Sequence, residues 1–191
     1  MQEFPKHTAE IFEVLSKGKF ISSNSSKDLD RKLYAVLEDE DHFELLTSYF
    51  GNINFILEKG NGYFYFSRNE TKVNLDRKLE IAFKWIDILD FFKTFDHSFG
   101  SGFRFSIADI TVRLNTDADL KSKLSALKKI TKKTKHTEAV SKLVDYLLKD
   151  NFLELQDEIS NTYKVLSSFE YLEELIMTIH IPEDIANEIP E

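Results

Sequence analysis

The chain has 191 residues, 42% of them hydrophobic and 13% aromatic, with 17 Phe; that supports a packed core, excludes wholesale disorder, and admits one large or two small domains. Twenty-five Lys and Arg stand against 33 Asp and Glu, a formal charge of −8, which argues against a protein that coats nucleic acid. The absence of Cys removes disulfides, thiolate metal sites, iron–sulfur clusters and cysteine nucleophiles.

Residues 1–7 contain no apolar run of the signal-peptide kind, and no stretch approaches the ~18 uncharged apolar residues of a membrane helix. The expectation is a soluble, cytoplasmic protein with no membrane contact. Ala9, Ile11, Phe12, Val14 and Leu15 predict a short helix that stops at Gly18. The low-complexity run Ser22-Ser23-Asn24-Ser25-Ser26 then breaks the chain, and Ser25 or Ser26 is placed to cap a second helix carrying Leu29, Leu33, Val36 and Leu37. A third helix follows through Phe43, Leu45, Leu46, Tyr49 and Phe50, ending near Gly51.

Past Gly51 the period becomes that of strands, in Ile53-Asn54-Phe55-Ile56-Leu57 and Tyr63-Phe64-Tyr65-Phe66. Asn61-Gly62 between them predicts a hairpin with a type I′ turn, which needs φ > 0 at both central residues. Three helices followed by a hairpin is the order of a winged helix-turn-helix unit, with residues 53–68 as its wing.

Residues 75–96 read as one long helix with two adjoining apolar stripes: Leu75, Leu79, Ala82, Phe83, Ile86 and Leu89, and Ile81, Trp85, Ile88, Phe92 and Phe95. At 100° per residue they span roughly 240° of the wheel, far more than a surface helix needs. This helix is expected to be buried on most sides, either wedged between two small domains or in a homodimer interface. Gly100-Ser101-Gly102 then reads as a hinge.

The winged pattern returns. Ile107, Ile110, Val112 and Leu114 fit a helix after Ser106; Leu120, Leu124, Leu127 and Ile130 line a second, with Thr116 as its expected cap; Val140, Leu143, Val144, Leu147 and Leu148 line a third. Phe152-Leu153-Glu154-Leu155 and Tyr163-Lys164-Val165-Leu166 form a second hairpin around residues 157–161. Ser167 with Glu170 suggests a capping box for a last helix carrying Phe169, Leu172, Leu175, Ile176 and Ile179, ended by Pro182. The fold class is therefore α+β, mainly α: tandem winged helix-turn-helix units joined by a long buried central helix. The expected divisions are 1–74 for the N-terminal unit, 75–102 for the central helix and hinge, and 103–191 for the C-terminal unit.

Candidate chemistry is sparse. His7, His42, His97, His136 and His180 lack the spacings of metal ligands, and no phosphate-binding or nucleophile motif is present. The carboxylates are expected on solvated faces, without a distinctive pair. The expectation is a protein that is not an enzyme and has no cofactor and no metal.

Charge placement says more. Lys121, Lys123, Lys128, Lys129, Lys132, Lys133 and Lys135 lie between Leu120 and Thr137 without one acid, whereas residues 137–191 hold three Lys against thirteen acids. A Lys-only cluster suits either a solvated helix end or non-specific contact with DNA phosphates, because the bidentate base reader Arg is missing from it. In a helix-turn-helix the helix before the wing carries the base contacts. Here the first such helix opens Glu38-Asp39-Glu40-Asp41 and adds Glu44, and the second mixes Lys142 and Lys149 with Glu138, Asp145 and Asp150. Such helices suit a protein partner better than a base sequence.

The sequence resembles the MksE/MukE-like kite subunits of bacterial condensin-type SMC complexes, which include plasmid-defence relatives. The resemblance is carried by Gly62-Tyr63-Phe64-Tyr65-Phe66, by residues 102–110 (Gly-Phe-Arg-Phe-Ser-Ile-Ala-Asp-Ile), by Leu143-Val144-Asp145-Tyr146-Leu147 leading into Phe152-Leu153-Glu154-Leu155, and by Tyr163-Lys164-Val165-Leu166 with Tyr171-Leu172-Glu173-Glu174-Leu175-Ile176. It implies a non-enzymatic homodimer that clasps a kleisin subunit of the MksF/MukF-like kind. Through the kleisin it would join an SMC ATPase ring, offer a basic surface to double-stranded DNA, and associate with the nucleoid in chromosome organisation or plasmid defence. In such families the N-terminal winged domains pair, and the C-terminal ones take much of the kleisin contact. Two other readings stay open: a winged-helix transcription regulator binding duplex DNA, and an enzyme of unfamiliar chemistry.

Overall fold

Helical spacing of apolar residues governs most of the chain, and the computed structural model, which describes residues 4–67 and 72–179, is α+β and mainly helical with two small antiparallel sheets. Side chains are described outside 72–81 and 178–179. The parts of the sequence reading that rest on the side chains of Leu75, Leu79, Ile81 and Ile179, and on Arg68, His180 and Pro182, fall outside the described residues.

The first half runs α1 (Thr8–Leu15), β1 (Ile21–Ser22), α2 (Asp28–Glu38), α3 (Glu40–Gly51), β2 (Ile56–Gly60) and β3 (Tyr63–Ser67). Gly18, at φ 74°, turns the chain after α1. Ile11, Leu15, Ile21, Leu33, Leu37, Leu46, Phe50, Leu57 and Phe64 close one core around the sheet, ordered β1-β3-β2. β2 starts three residues later than the sequence pattern suggests. Ile53 and Asn54 extend the turn after α3, with Asn54 at φ 63° and the Phe55 N–H bonded to the Phe50 carbonyl. The hairpin tip is Asn61-Gly62, with Gly60 paired to Tyr63. Only Gly62, at φ 77°, has a positive φ, so the turn is not type I′; the Asn61 amide is engaged instead by the Glu170 carboxylate, 3.2 Å away.

The second half follows α4 (Lys72–Phe95): β4 (Arg104–Ser106), α5 (Ile107–Thr116), α6 (Ala118–Ala126), α7 (Lys128–Thr131), α8 (His136–Lys149), β5 (Leu153–Asp157), β6 (Thr162–Val165) and α9 (Phe169–Ile179). Its sheet, β4-β6-β5, repeats the order of the first. Ser106 and Asp109 form a reciprocal capping box at the start of α5.

On α4, Ala82, Trp85, Ile88, Leu89, Phe91 and Phe92 are buried, while Phe83 is 58% exposed. The helix thus keeps an outer face, with Phe83, Asp87 and Asp90 directed away from the core to differing degrees, and is less enclosed than its two stripes suggest. It packs against α6 and α9. The larger core takes in Phe20 and Tyr63 from the first half with α4 and the second half. Phe20 lies 5.0 Å from Phe152 and 5.1 Å from Tyr171, ring centre to ring centre.

Candidate functional site

Two polar features stand out: a buried seam between the halves, and the lysines of α6 to α8. The seam is built from the Ser-rich run. Ser25 and Ser26 do not cap α2, whose N-cap is Lys27 with no side-chain cap. They serve Glu154 instead: the Ser26 N–H donates to Glu154 Oε1 at 2.8 Å, and the Ser25 hydroxyl to Oε2 at 2.9 Å. Lys164, opposite Glu154 across β5 and β6, donates to the Asn24 carbonyl, to Ser26 Oγ at 3.2 Å and to Glu154 Oε1 at 3.3 Å. Asn24 extends the seam, accepting the Ser167 N–H at 2.8 Å and donating to the Val165 carbonyl at 3.2 Å and to Ser101 Oγ at 3.3 Å. The Ser168 N–H reaches Ser22 Oγ at 3.3 Å.

Three sequence expectations are corrected here. Glu154 is 3% exposed, so not every carboxylate lies on a solvated face; its burial is tolerable because donors and a cation converge on it. Burial alone would raise the Glu154 carboxyl, but the bonds from Ser26 and Ser25 and the Lys164 charge outweigh it and hold it below the ordinary range. The Ser167–Glu170 capping box is absent among the described residues: the Ser167 hydroxyl meets Ser23 Oγ at 3.1 Å, and Glu170 accepts from Asn61. The Gly100–Gly102 segment is tied down, with the Gly102 N–H on the Val165 carbonyl at 2.9 Å and Ser101 on Asn24.

The basic segment begins at α6. Asp117, not Thr116, caps this helix by accepting the Leu120 N–H at 3.0 Å; the Thr116 hydroxyl turns back to the Arg113 carbonyl at 3.2 Å. Leu120, Leu124 and Leu127 face the core, which leaves the intervening lysines outward. Lys132, in the left-handed region at φ 54°, turns the chain from α7 towards α8.

The seven lysines are not equivalent. Lys123 pairs with Asp90 at 2.5 Å, tying α6 to α4, and that hydrogen bond raises its pKa. Lys133 and Lys135 flank Glu138 at 3.7 and 3.4 Å. Lys121, Lys128, Lys129 and Lys132 are exposed and have no acidic partner among the described residues. These four form the unpaired cationic part of the segment; the other three share two carboxylates, Asp90 and Glu138.

The helices ahead of the hairpins carry the opposite or a mixed sign. Asp39 caps α3 by accepting the His42 N–H at 3.0 Å, and Glu40 and Asp41 are exposed beyond it, with Glu44 one turn further on. Acid there complements the positive end of the helix dipole and repels a phosphate backbone. On α8, Lys142 lies 5.2 Å from the Tyr146 ring, beside exposed Asp145.

Among the described residues no group of three or more His, Asp or Glu could hold a metal ion, and no described helix is long and apolar enough to cross a membrane. The two halves thus each carry helices ahead of a hairpin and are joined by a polar seam, with a local cationic surface on the second. The model of a protein family described as condensin complex protein MksE matches residues 6–176, and the chain belongs to that family. No curated protein matches it.

Proposed function

We propose that this condensin-complex subunit is a kite protein: a non-enzymatic homodimer of tandem winged-helix subunits that braces a kleisin of the MksF/MukF-like kind within an SMC ring. It touches double-stranded DNA without sequence preference, in chromosome organisation or plasmid defence, as a cytoplasmic, nucleoid-associated protein. The observation that carries this reading is the family match over residues 6–176. It is supported by two halves that repeat the strand order and place helices ahead of each hairpin. In this reading the N-terminal unit spans 1–74, the central linker helix and hinge span 75–102, and the C-terminal unit spans 103–191, with α4 itself beginning at Lys72.

The acid opening of α3 favours a scaffold over a transcription regulator, because a reading helix needs donors for base edges where this one presents Glu40, Asp41 and Glu44. The DNA contact is assigned to Lys121, Lys128, Lys129 and Lys132, with Lys123, Lys133 and Lys135 in support. Co-expression with a kleisin of the same host, followed by size-exclusion chromatography, tests the assembly role. A single co-eluting species is expected, and separate elution sinks the reading. Selection from random duplexes should return no enriched site; recovery of one would favour the regulator.

A further inference from the structure

At the junction of the two halves lies an open groove of about 550 Å³, within the ~300–1,000 Å³ typical of ligand sites. Its apolar wall is formed by Phe20, Tyr65, Trp85, Phe152, Tyr171 and Leu175. The rings brace one another: Trp85 meets Phe152 edge-on at 5.5 Å, and Tyr65 lies 5.0 Å from Tyr171. Charge does not select what fills it. Lys17 pairs with Glu13 at 2.7 Å, the Lys19 charge acts on Asp150, and Glu58 and Glu174 act on the Tyr65 phenol. The groove offers apolar area in a preformed shape, and an occupant needs apolar side chains and proximity.

The chain itself supplies both. Tyr171 and Leu175 belong to α9, which ends at Ile179, so the helix runs only about 6 Å past Leu175. The sequence continues with residues 180–191, outside the described residues. Extended, such a length reaches about 40 Å, several times what a return to the groove requires. Ile181, Ile185 and Ile189 recur at every fourth position and fall within about 80° of one another on a helical wheel. Pro182 disfavours a straight continuation of α9 and suits the first turn of a new helix. The family match stops at residue 176, so this segment lies outside the part of the chain that it covers. A short tether gives an effective concentration in the millimolar range, so even a weak intrinsic affinity fills the groove.

We propose that residues 180–191 fold back into this groove, with Ile181, Ile185 and Ile189 on the aromatic wall, and occupy the surface between the two halves in cis. The segment is then a built-in competitor: any other apolar ligand of the groove has to displace it, and its apparent affinity falls by the fraction of chains left open. The proposal does not depend on what the subunit assembles with, so kleisin co-elution and the test below can fail separately.

The chain has no Cys, so an introduced pair is its only pair of thiols. Lys19→Cys on the groove lining, combined with Ala186→Cys, should close an intramolecular disulfide under mild oxidation. The rate should be at least about tenfold that of Ile159→Cys combined with Ala186→Cys, because docking holds the segment away from the second hairpin tip. Deleting residues 180–191 should raise the fluorescence of anilinonaphthalene sulfonate excited through Trp85, the single Trp of the chain and part of the wall. A synthetic peptide of residues 180–191 should reverse that rise saturably. Asp in place of Ile181, Ile185 and Ile189 should reproduce the deletion, whereas Gln or Asn in place of Glu183, Asp184 and Glu188 should leave the groove filled. Equal cross-linking rates for the two thiol pairs, or a dye signal unchanged by the deletion, overturns the proposal. So does cross-linking that joins separate chains and quickens with protein concentration, which would make a second copy the occupant. The cross-linking arm keeps the test valid even where the shortened chain fails to fold.

Discussion

Lys164 Nζ lies 3.3 Å from Glu154 Oε1, with the Glu154 side chain only 1% exposed. The pair sits directly across β5 and β6, yet its remaining bonds run to Asn24, Ser25 and Ser26 of the other half. A cross-strand ion pair of one sheet is thereby one of the anchors that hold the first half to the second.

Glu154→Gln should cost about 3–5 kcal/mol, because the Lys164 charge stays buried without its counter-ion. Urea unfolding of the full chain measures it. The double change Glu154→Leu with Lys164→Met removes both charges and is expected to recover much of the loss. A single variant as stable as the parent would mean that the seam contributes nothing.

The same carboxylate gives the chain an acid-sensitive limb. Glu154 is held below its ordinary range in the folded protein, so its contribution is complete above the unfolded value. It is lost as pH falls through the lowered folded value. Urea midpoints compared between about pH 7 and about pH 3 should fall more steeply for the parent than for Glu154→Gln.

Gly60 is closed to any side chain. A Cβ there would stand 2.1 Å from Tyr63 Cζ, and Tyr63 is buried with its phenol donating to Glu174 at 3.1 Å. Gly60→Ala must displace that ring, at about 1–3 kcal/mol for overpacking a core. Thermal or urea unfolding reads the loss, and near-ultraviolet circular dichroism should show the tyrosine environment changed.

The lysine segment divides into two sets by partner. Charge reversal of Lys121, Lys128, Lys129 and Lys132 should weaken binding to all duplexes alike and reduce the salt slope by up to about 0.9 for each phosphate no longer neutralised. Reversal of Lys123, Lys133 and Lys135, which already face Asp90 and Glu138, should change the slope less. Fluorescence anisotropy over a salt series separates the two; equal effects would remove the distinction.

Local periodicity made most elements legible in the sequence. α1, α3, α8 and both hairpins follow from apolar spacing, and Gly18 and Gly62 turn the chain where their positions suggest. Tertiary chemistry was not legible. Ser22–Ser26 reads as a low-complexity break because nothing local marks the partners Glu154, Lys164 and Ser167, more than a hundred residues away. The strand Phe152-Leu153-Glu154-Leu155 misleads for the same reason: Glu154 is buried in the seam, 3% exposed, whereas the apolar Leu155 after it is 38% exposed. Within the basic segment, lysine spacing located the cluster, but only the fold reveals that three of its members lie beside Asp90 and Glu138. The groove was also hidden, since its wall is gathered from both halves of the chain.

The two hairpins end differently. Asn61 at the first tip is held by Glu170, and a Cβ on Gly62 would crowd Ser23 and Ser167, whereas Ile159 at the second tip is 96% exposed. Insertions and deletions should therefore accumulate among relatives at residues 157–161 and be purged at 60–62. The free tip is also the natural place to graft a tag or a fluorophore without disturbing the rest of the molecule.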